Sequence, residues 1–187
     1  MLILLLGCLS FLIFIIYDIN QIKGNLIWIK PFFAVGCLTL CGVTGVMTLK
    51  TFESDISVYP IVLITFIFLA IISFLLLIYT LFFAIPFYEA YVAGTRQKLC
   101  TVGVYSLCRH PGVLFFGFFY LFLGIGLGKP FVLLAGAVFT VMNILYVFIQ
   151  DKYFFPKTFK NYDHYQQHTN FLLPSKHSIK KCLKYYI

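Results

Sequence analysis

Apolar residues gather in five long runs, at about 2–19, 27–49, 59–86, 113–128 and 131–149, separated by short polar stretches. Each run is near the roughly 20 residues that carry an α-helix across a bilayer core, the first and fourth being short. The pattern predicts an all-α, polytopic membrane helical bundle of about five transmembrane helices. Beyond residue 150 the chain turns polar, yet Phe155, Phe159 and Tyr162 recur at helical spacing and Tyr165 follows one turn on. That spacing predicts an interfacial helix over the mouth of the bundle, beginning near Pro156. Further on, Ile179, Leu183 and Ile187 repeat at every fourth position among Lys176, Lys180, Lys181 and Lys184. This reads equally as a lipid-surface anchor and as a solvated tail. The chain thus divides into a three-span scaffold over 1–86, a second half over 87–174, and a basic amphipathic tail over 175–187.

The densest polar cluster, Arg109-His110-Pro111, stands directly before the fourth run. Pro111 fixes its own φ and biases His110 away from helix, so the helix is expected to start at about Pro111. Its free N–H groups and the positive end of its dipole suit an anionic group. Gly112, in the first turn, removes a side chain where a ligand could lie against backbone. Only Leu127-Gly128-Lys129-Pro130 joins the last two runs, which makes 113–149 a tight antiparallel hairpin. Arg109-His110-Pro111 and Gln150-Asp151 are therefore expected side by side. Cys37, Cys41 and Gly45 repeat at small-residue spacing, as do Gly124 and Gly128, which predicts close helix packing.

Composition supports the membrane reading: 61% of residues are hydrophobic, 11% are charged, and the mean hydropathy is +0.97, outside the range of soluble domains. Residues 1–17 lack a basic start and an Ala-x-Ala site, so they read as an uncleaved span and not a signal peptide. Five spans put Lys23, Lys30, Arg96, Lys98, Arg109 and the seven tail lysines on one face, and only Lys50 and Lys129 on the other. The positive-inside rule makes the first face cytoplasmic. The net charge of +8 is then orientation and attraction to anionic lipid, with no reason to expect nucleic acid. In a reducing compartment the six cysteines read as free thiols. His164 and His168 lie four apart without a third ligand, so no metal is expected.

The stretches KLCTVGVYSLCRHP (98–111) and QDKYFFPKTFKNYDHYQQHTNFLLP (150–174), with the hairpin between them, resemble the isoprenylcysteine carboxyl methyltransferase family and its phospholipid methyltransferase relatives. The resemblance covers about 80 residues, and rests on Gly103, Tyr105, Arg109, His110, Pro111, Phe159, Tyr162, Tyr165 and Pro174 in the family's order. It implies that 87–174 is a catalytic half holding S-adenosylmethionine in a cytoplasmic pocket. The implied cofactor-binding positions are Gln97, Lys98, Leu99, Cys100, Tyr105, His110, Pro111, Gly112, Val113, Gln150 and Asp151. Arg109 and Asp151 are the implied catalytic positions, joined by Asn143, which stands about where the family often carries a basic residue for a substrate carboxylate. Four positions depart from the family pattern: Val113 and Phe115 replace a Tyr and a Gly, and Gln150-Asp151 replaces a Glu-Glu pair.

The chemistry of these side chains agrees with that implication. Asp151 could accept from ribose hydroxyls, helix-start N–H groups could hold the methionine carboxylate, and Tyr105 could cover the adenine. A carboxylate acceptor would be ready to attack a sulfonium, whereas an amine would first lose a proton, to His110 or Asp151. The acceptor would be a lipid or lipidated molecule entering from the bilayer. Two other readings stay open: an NADPH-dependent reductase of steroid 5α-reductase type, and a non-catalytic lipid-binding module.

Overall fold

In a computed structural model the chain is an all-α bundle; the structure describes residues 1–24, 26–52, 58–84 and 99–186. The long helices are α1 (Leu2–Lys23), α2 (Phe32–Phe52), α3 (Pro60–Ile78), α4 (Pro111–Leu127) and α5 (Pro130–Ile149). Three short ones follow: α6 (Phe155–Thr158), α7 (Tyr162–His168) and α8 (Lys176–Tyr186).

Proline starts α3, α4 and α5 at their first turns, where its missing N–H costs nothing. Gly128 ends α4 with φ of 62°, a left-handed turn that glycine adopts without strain and that reverses the chain directly into α5. Among the described residues four apolar helical stretches, Leu2–Lys23, Ile27–Lys50, Pro60–Phe83 and Pro130–Thr158, are long enough to cross a membrane, and the protein is an integral membrane protein. The fifth, α4, has 17 residues and rises about 26 Å, a little short of a ~30 Å bilayer core. Conversely, the 29 residues of Pro130–Thr158 rise about 44 Å, so their last turns, from Gln150 on, stand beyond the hydrocarbon.

The helices pack in the order α2, α1, α5, α4, α3. Phe11, Phe14, Phe116, Tyr120, Phe139 and Tyr146 fill the space between α1, α4 and α5, with Val43 and Met47 of α2 against them. Inside this core the Tyr120 hydroxyl meets Thr44 Oγ1 at 2.6 Å, so neither polar atom is stranded at bilayer depth. The hairpin is tight because Gly124 faces Leu133 and Gly136 faces Tyr120; a Cβ at either would overlap its neighbour. The other small-residue stripe behaves differently from expectation. Cys37 and Cys41 border a cavity, and Gly45 faces open space, so their small size makes room and not a helix interface.

Two helix ends widen into π-helical turns, Tyr79–Phe83 after α3 and Gln150–Phe154 after α5. Both lie at the end of the bundle that carries His110, where such turns re-aim side chains. The expected tail helix is broken in two. Phe159 is extended and Asn161 adopts φ of 60°, so α7 turns back over the bundle mouth. Helix α8 packs its Cys182 face on the turn Gly103–Ser106 and leaves Ile179 and Leu183 exposed beside its lysines. An ordered, docked helix therefore replaces the solvated-tail alternative.

Candidate functional site

Arg109 leaves the segment before α4 and reaches across to the end of α5. Its Nε donates to Asp151 Oδ1 at 2.8 Å and its Nη2 to Oδ2 at 2.9 Å, a bidentate pair. Its Nη1 donates to the carbonyls of Gln166 (2.9 Å) and Thr169 (2.7 Å), which ties α7 to the same point. His110 Nε2 lies 3.2 Å from Asp151 Oδ1, the Tyr162 hydroxyl donates to Oδ1 at 2.5 Å, and Gln166 Nε2 donates to Oδ2 at 3.0 Å. The backbone closes the ring: Arg109 N donates to Asn170 O and His110 N to Phe171 O.

Burial alone would raise the Asp151 carboxyl, but the hydrogen bonds from His110, Arg109 and Tyr162 outweigh it and hold it well below the usual carboxylate range. Burial also lowers the His110 imidazole below its ordinary value, against the opposing pull of Asp151. His110 is held flat by Phe155, stacked at 5.6 Å, and edge-on by Phe171 at 5.1 Å. Asp151 is thus a buried, ionised anchor whose two oxygens are taken by protein donors.

Beside this anchor lies a cavity of about 650 Å³, the size of a small-molecule site. It is bordered by Leu99, Cys100, Tyr105, Arg109, His110, Pro111, Gly112, Val113, Asn143 and Gln150, all named from the sequence. Gln97 and Lys98 lie outside the described residues. Asp151 is not on the cavity wall, so the ribose-accepting role read for it gives way to positioning Arg109 and His110. Gly112 borders the cavity, and a Cβ there would sit 3.7 Å from Leu77 and 3.8 Å from Thr80, in ordinary contact with α3 and its π-helical turn.

Tyr105 forms part of the wall with its ring fixed, since its hydroxyl donates to Thr80 O at 3.0 Å while its own carbonyl accepts from the Tyr165 hydroxyl at 2.6 Å. The wall continues downward through Cys37, Cys41, Thr44, Phe116 and Tyr120 to bilayer depth. Val113 is 4% exposed and fills the α4 side, whereas Phe115 is not on the wall. Asn143 is half-buried on the wall, and its side chain makes no hydrogen bond among the described residues. His164 and His168 stack on each other at 4.3 Å on the α7 surface, away from the cavity wall.

One residue escaped the sequence reading. Asp18, on the last turns of α1, accepts from the Tyr146 hydroxyl (2.8 Å) and from Gln150 Nε2 (2.9 Å), and Gln150 Nε2 also reaches the Tyr146 oxygen at 2.7 Å. The N-terminal half, read as scaffold, therefore puts a carboxylate on the cavity wall. Comparison with protein-family models, curated proteins and solved structures finds no match to this chain.

Proposed function

We propose that this protein is a membrane enzyme that transfers a methyl group from S-adenosylmethionine to a lipid-borne acceptor, as the family it resembles does. One observation carries the reading. A single cavity is bordered by the segment at 99–105, the start of α4 and the end of α5, and runs on to bilayer depth between α2 and α3. Such a cavity would let a water-borne cofactor meet a lipid.

The residues present fit such a cofactor through their donor set and shape. Tyr105 offers an immobilised aromatic face, and Leu99 and Cys100 border the same side. The α4 start offers an N–H at Gly112, and Gln150 stands on the opposite wall with its Nε2 held by Asp18 and Tyr146. The cofactor would bring an activated methyl group. The protein's part is to hold the partners in line and keep water out, with Arg109, Asp151 and Tyr162 locking the mouth. The positive-inside rule supports a cytoplasmic position for this mouth.

Charge argues against a polyanionic nucleotide such as NADPH. Among the described wall residues, Arg109 is neutralised by Asp151, and the remaining cation, Lys157, is exposed at the rim. Asp18 adds a negative charge. A cationic or zwitterionic cofactor suits such a wall better.

Incubation of the purified protein with methyl-labelled S-adenosylmethionine and a total membrane lipid extract tests the proposal. Label passing into the organic phase is the expected result. Label that stays aqueous while the protein remains folded would refute it.

A further inference from the structure

The charge at Asp18 has no partner of opposite sign among the described residues. Among the described residues no Lys, Arg or His nitrogen lies within 4 Å of it, and the ion pairs present both belong to Asp151. Tyr146 and Gln150 donate only to Oδ2, and both are neutral. No described donor reaches Oδ1. A carboxylate inside a membrane bundle is costly unless something positive meets it, so an ionisable residue at such a place points to a ligand.

The surroundings say what kind. Phe14, one turn before Asp18, packs on Tyr146 at 5.6 Å and on Phe33 at 5.5 Å, and Tyr17 packs on Phe33 at 5.6 Å. All four rings border the cavity. An anion in an aromatic enclosure attracts an organic cation twice, by charge and by the ring faces. It repels a carboxylate. Below this level the wall is mostly apolar, through Leu40 and Phe116, and its hydroxyls at Thr44 and Tyr120 are paired with each other, which suits an acyl or prenyl chain and not a soluble amine.

We infer that the α1 side of the cavity is a binding site for the ammonium group of an amine-bearing lipid, held by Asp18 inside the rings of Phe14, Tyr17, Phe33 and Tyr146. This inference rests on the proposed methyl transfer for the lipid's role as acceptor, and it names the acceptor's chemistry as amine and not carboxylate. The bound ammonium would first give a proton to Asp18, and the freed nitrogen lone pair would take the methyl as the C–S electron pair leaves with the thioether. The site itself stands on the geometry of Asp18 alone.

The test is native mass spectrometry of the full chain, titrated at neutral pH with oleylamine, oleic acid and oleyl alcohol, which share one chain and differ in head-group charge. A parallel titration with S-adenosylhomocysteine reports the cofactor. Oleylamine is expected to bind at least tenfold more tightly than the other two, and n-butylamine at least a hundredfold more weakly than oleylamine. Asp18→Asn, which can still accept from Tyr146 and Gln150, is expected to lose the amine preference and keep S-adenosylhomocysteine binding. Phe33→Leu leaves the carboxylate in place and is expected to reduce the preference by about threefold.

Equal binding of the three oleyl probes to the wild type would overturn the inference, as would an undiminished preference in Asp18→Asn. Butylamine binding as tightly as oleylamine would also overturn it, by assigning the site to a soluble amine. Joint loss of amine and S-adenosylhomocysteine binding in Asp18→Asn would overturn it in favour of a cofactor contact. An amine preference without any S-adenosylhomocysteine binding would support the ammonium site and remove the methyl-transfer reading instead.

Discussion

Arg109 and Asp151, 42 residues apart, close the mouth of the bundle as a bidentate pair with side chains only 12% and 11% exposed. Removing one member of such a pair leaves the other charge buried and uncompensated, at a cost of about 3–5 kcal/mol. Asp151→Asn should therefore lower the melting temperature of the detergent-purified protein by several degrees. Arg109→Lys should fall in the same direction, because an ammonium cannot make both bonds. A melting temperature within a degree of the wild type for both variants would contradict this role.

His110 and Asp151 both have lowered pKa values in the folded protein, and both therefore bind protons more readily when unfolded. The stability they contribute is present above their unfolded values, near 6.5 for His110 and near 3.9 for Asp151, and is lost as pH falls through the folded ones. Melting temperature should be flat above about pH 7 and decline below it, with the first part of the decline due to His110. His110→Gln should flatten the curve between about pH 6.5 and 5. A wild-type curve that rises on acidification would be inconsistent with these shifts.

The glycines separate packing from ligand binding. Gly136→Ala would drive a Cβ into Tyr120 across the hairpin, an overpacking that typically costs about 1–3 kcal/mol. Gly112→Ala meets α3 and its π-helical turn only at ordinary contact distances, so it should leave stability unchanged or slightly improved. Parallel melts of the two variants decide the matter. Destabilisation by Gly112→Ala equal to that of Gly136→Ala would show the helix spacing to be wrong.

Helix α8 covers Gly103, whose φ is 59° and whose Cβ, if present, would lie 2.7 Å from the Tyr186 hydroxyl. Gly103→Ala adds left-handed strain of about 1 kcal/mol and pushes Tyr186 away. Cys182, buried on the inner face of α8, should then label faster with a water-soluble maleimide. Cys108 should stay unlabelled in either protein, being fully buried with its thiol pushed up to about 11 by that burial. Equal Cys182 labelling rates in both proteins would mean that α8 is not docked on this turn.

The sequence made the hairpin and its convergence visible through short-range signals. Pro111 and Pro130 mark helix starts, and Gly128 supplies the one left-handed turn between them, so Arg109 and Asp151 had to meet. It could not show that they would saturate each other, since the other donors, Tyr162 and Gln166, arrive from a helix aimed by Asn161 in a left-handed conformation. Asp18 was hidden for another reason. It meets Tyr146 across 128 residues, and a lone acid near a helix end looks like ordinary interfacial polarity until the partner helix is in place. The π-helical turn at Gln150–Phe154 was likewise invisible, because the one-residue insertion it makes leaves no period in the hydrophobic pattern.

Calorimetric titration of the purified, monodisperse protein with S-adenosylhomocysteine tests the central claim most directly, with Tyr105→Leu as the variant that removes a cavity wall and leaves the Arg109–Asp151 pair intact. Micromolar binding by the wild type, weakened at least tenfold in Tyr105→Leu, is the result predicted. Absence of binding by a folded wild type would contradict the account.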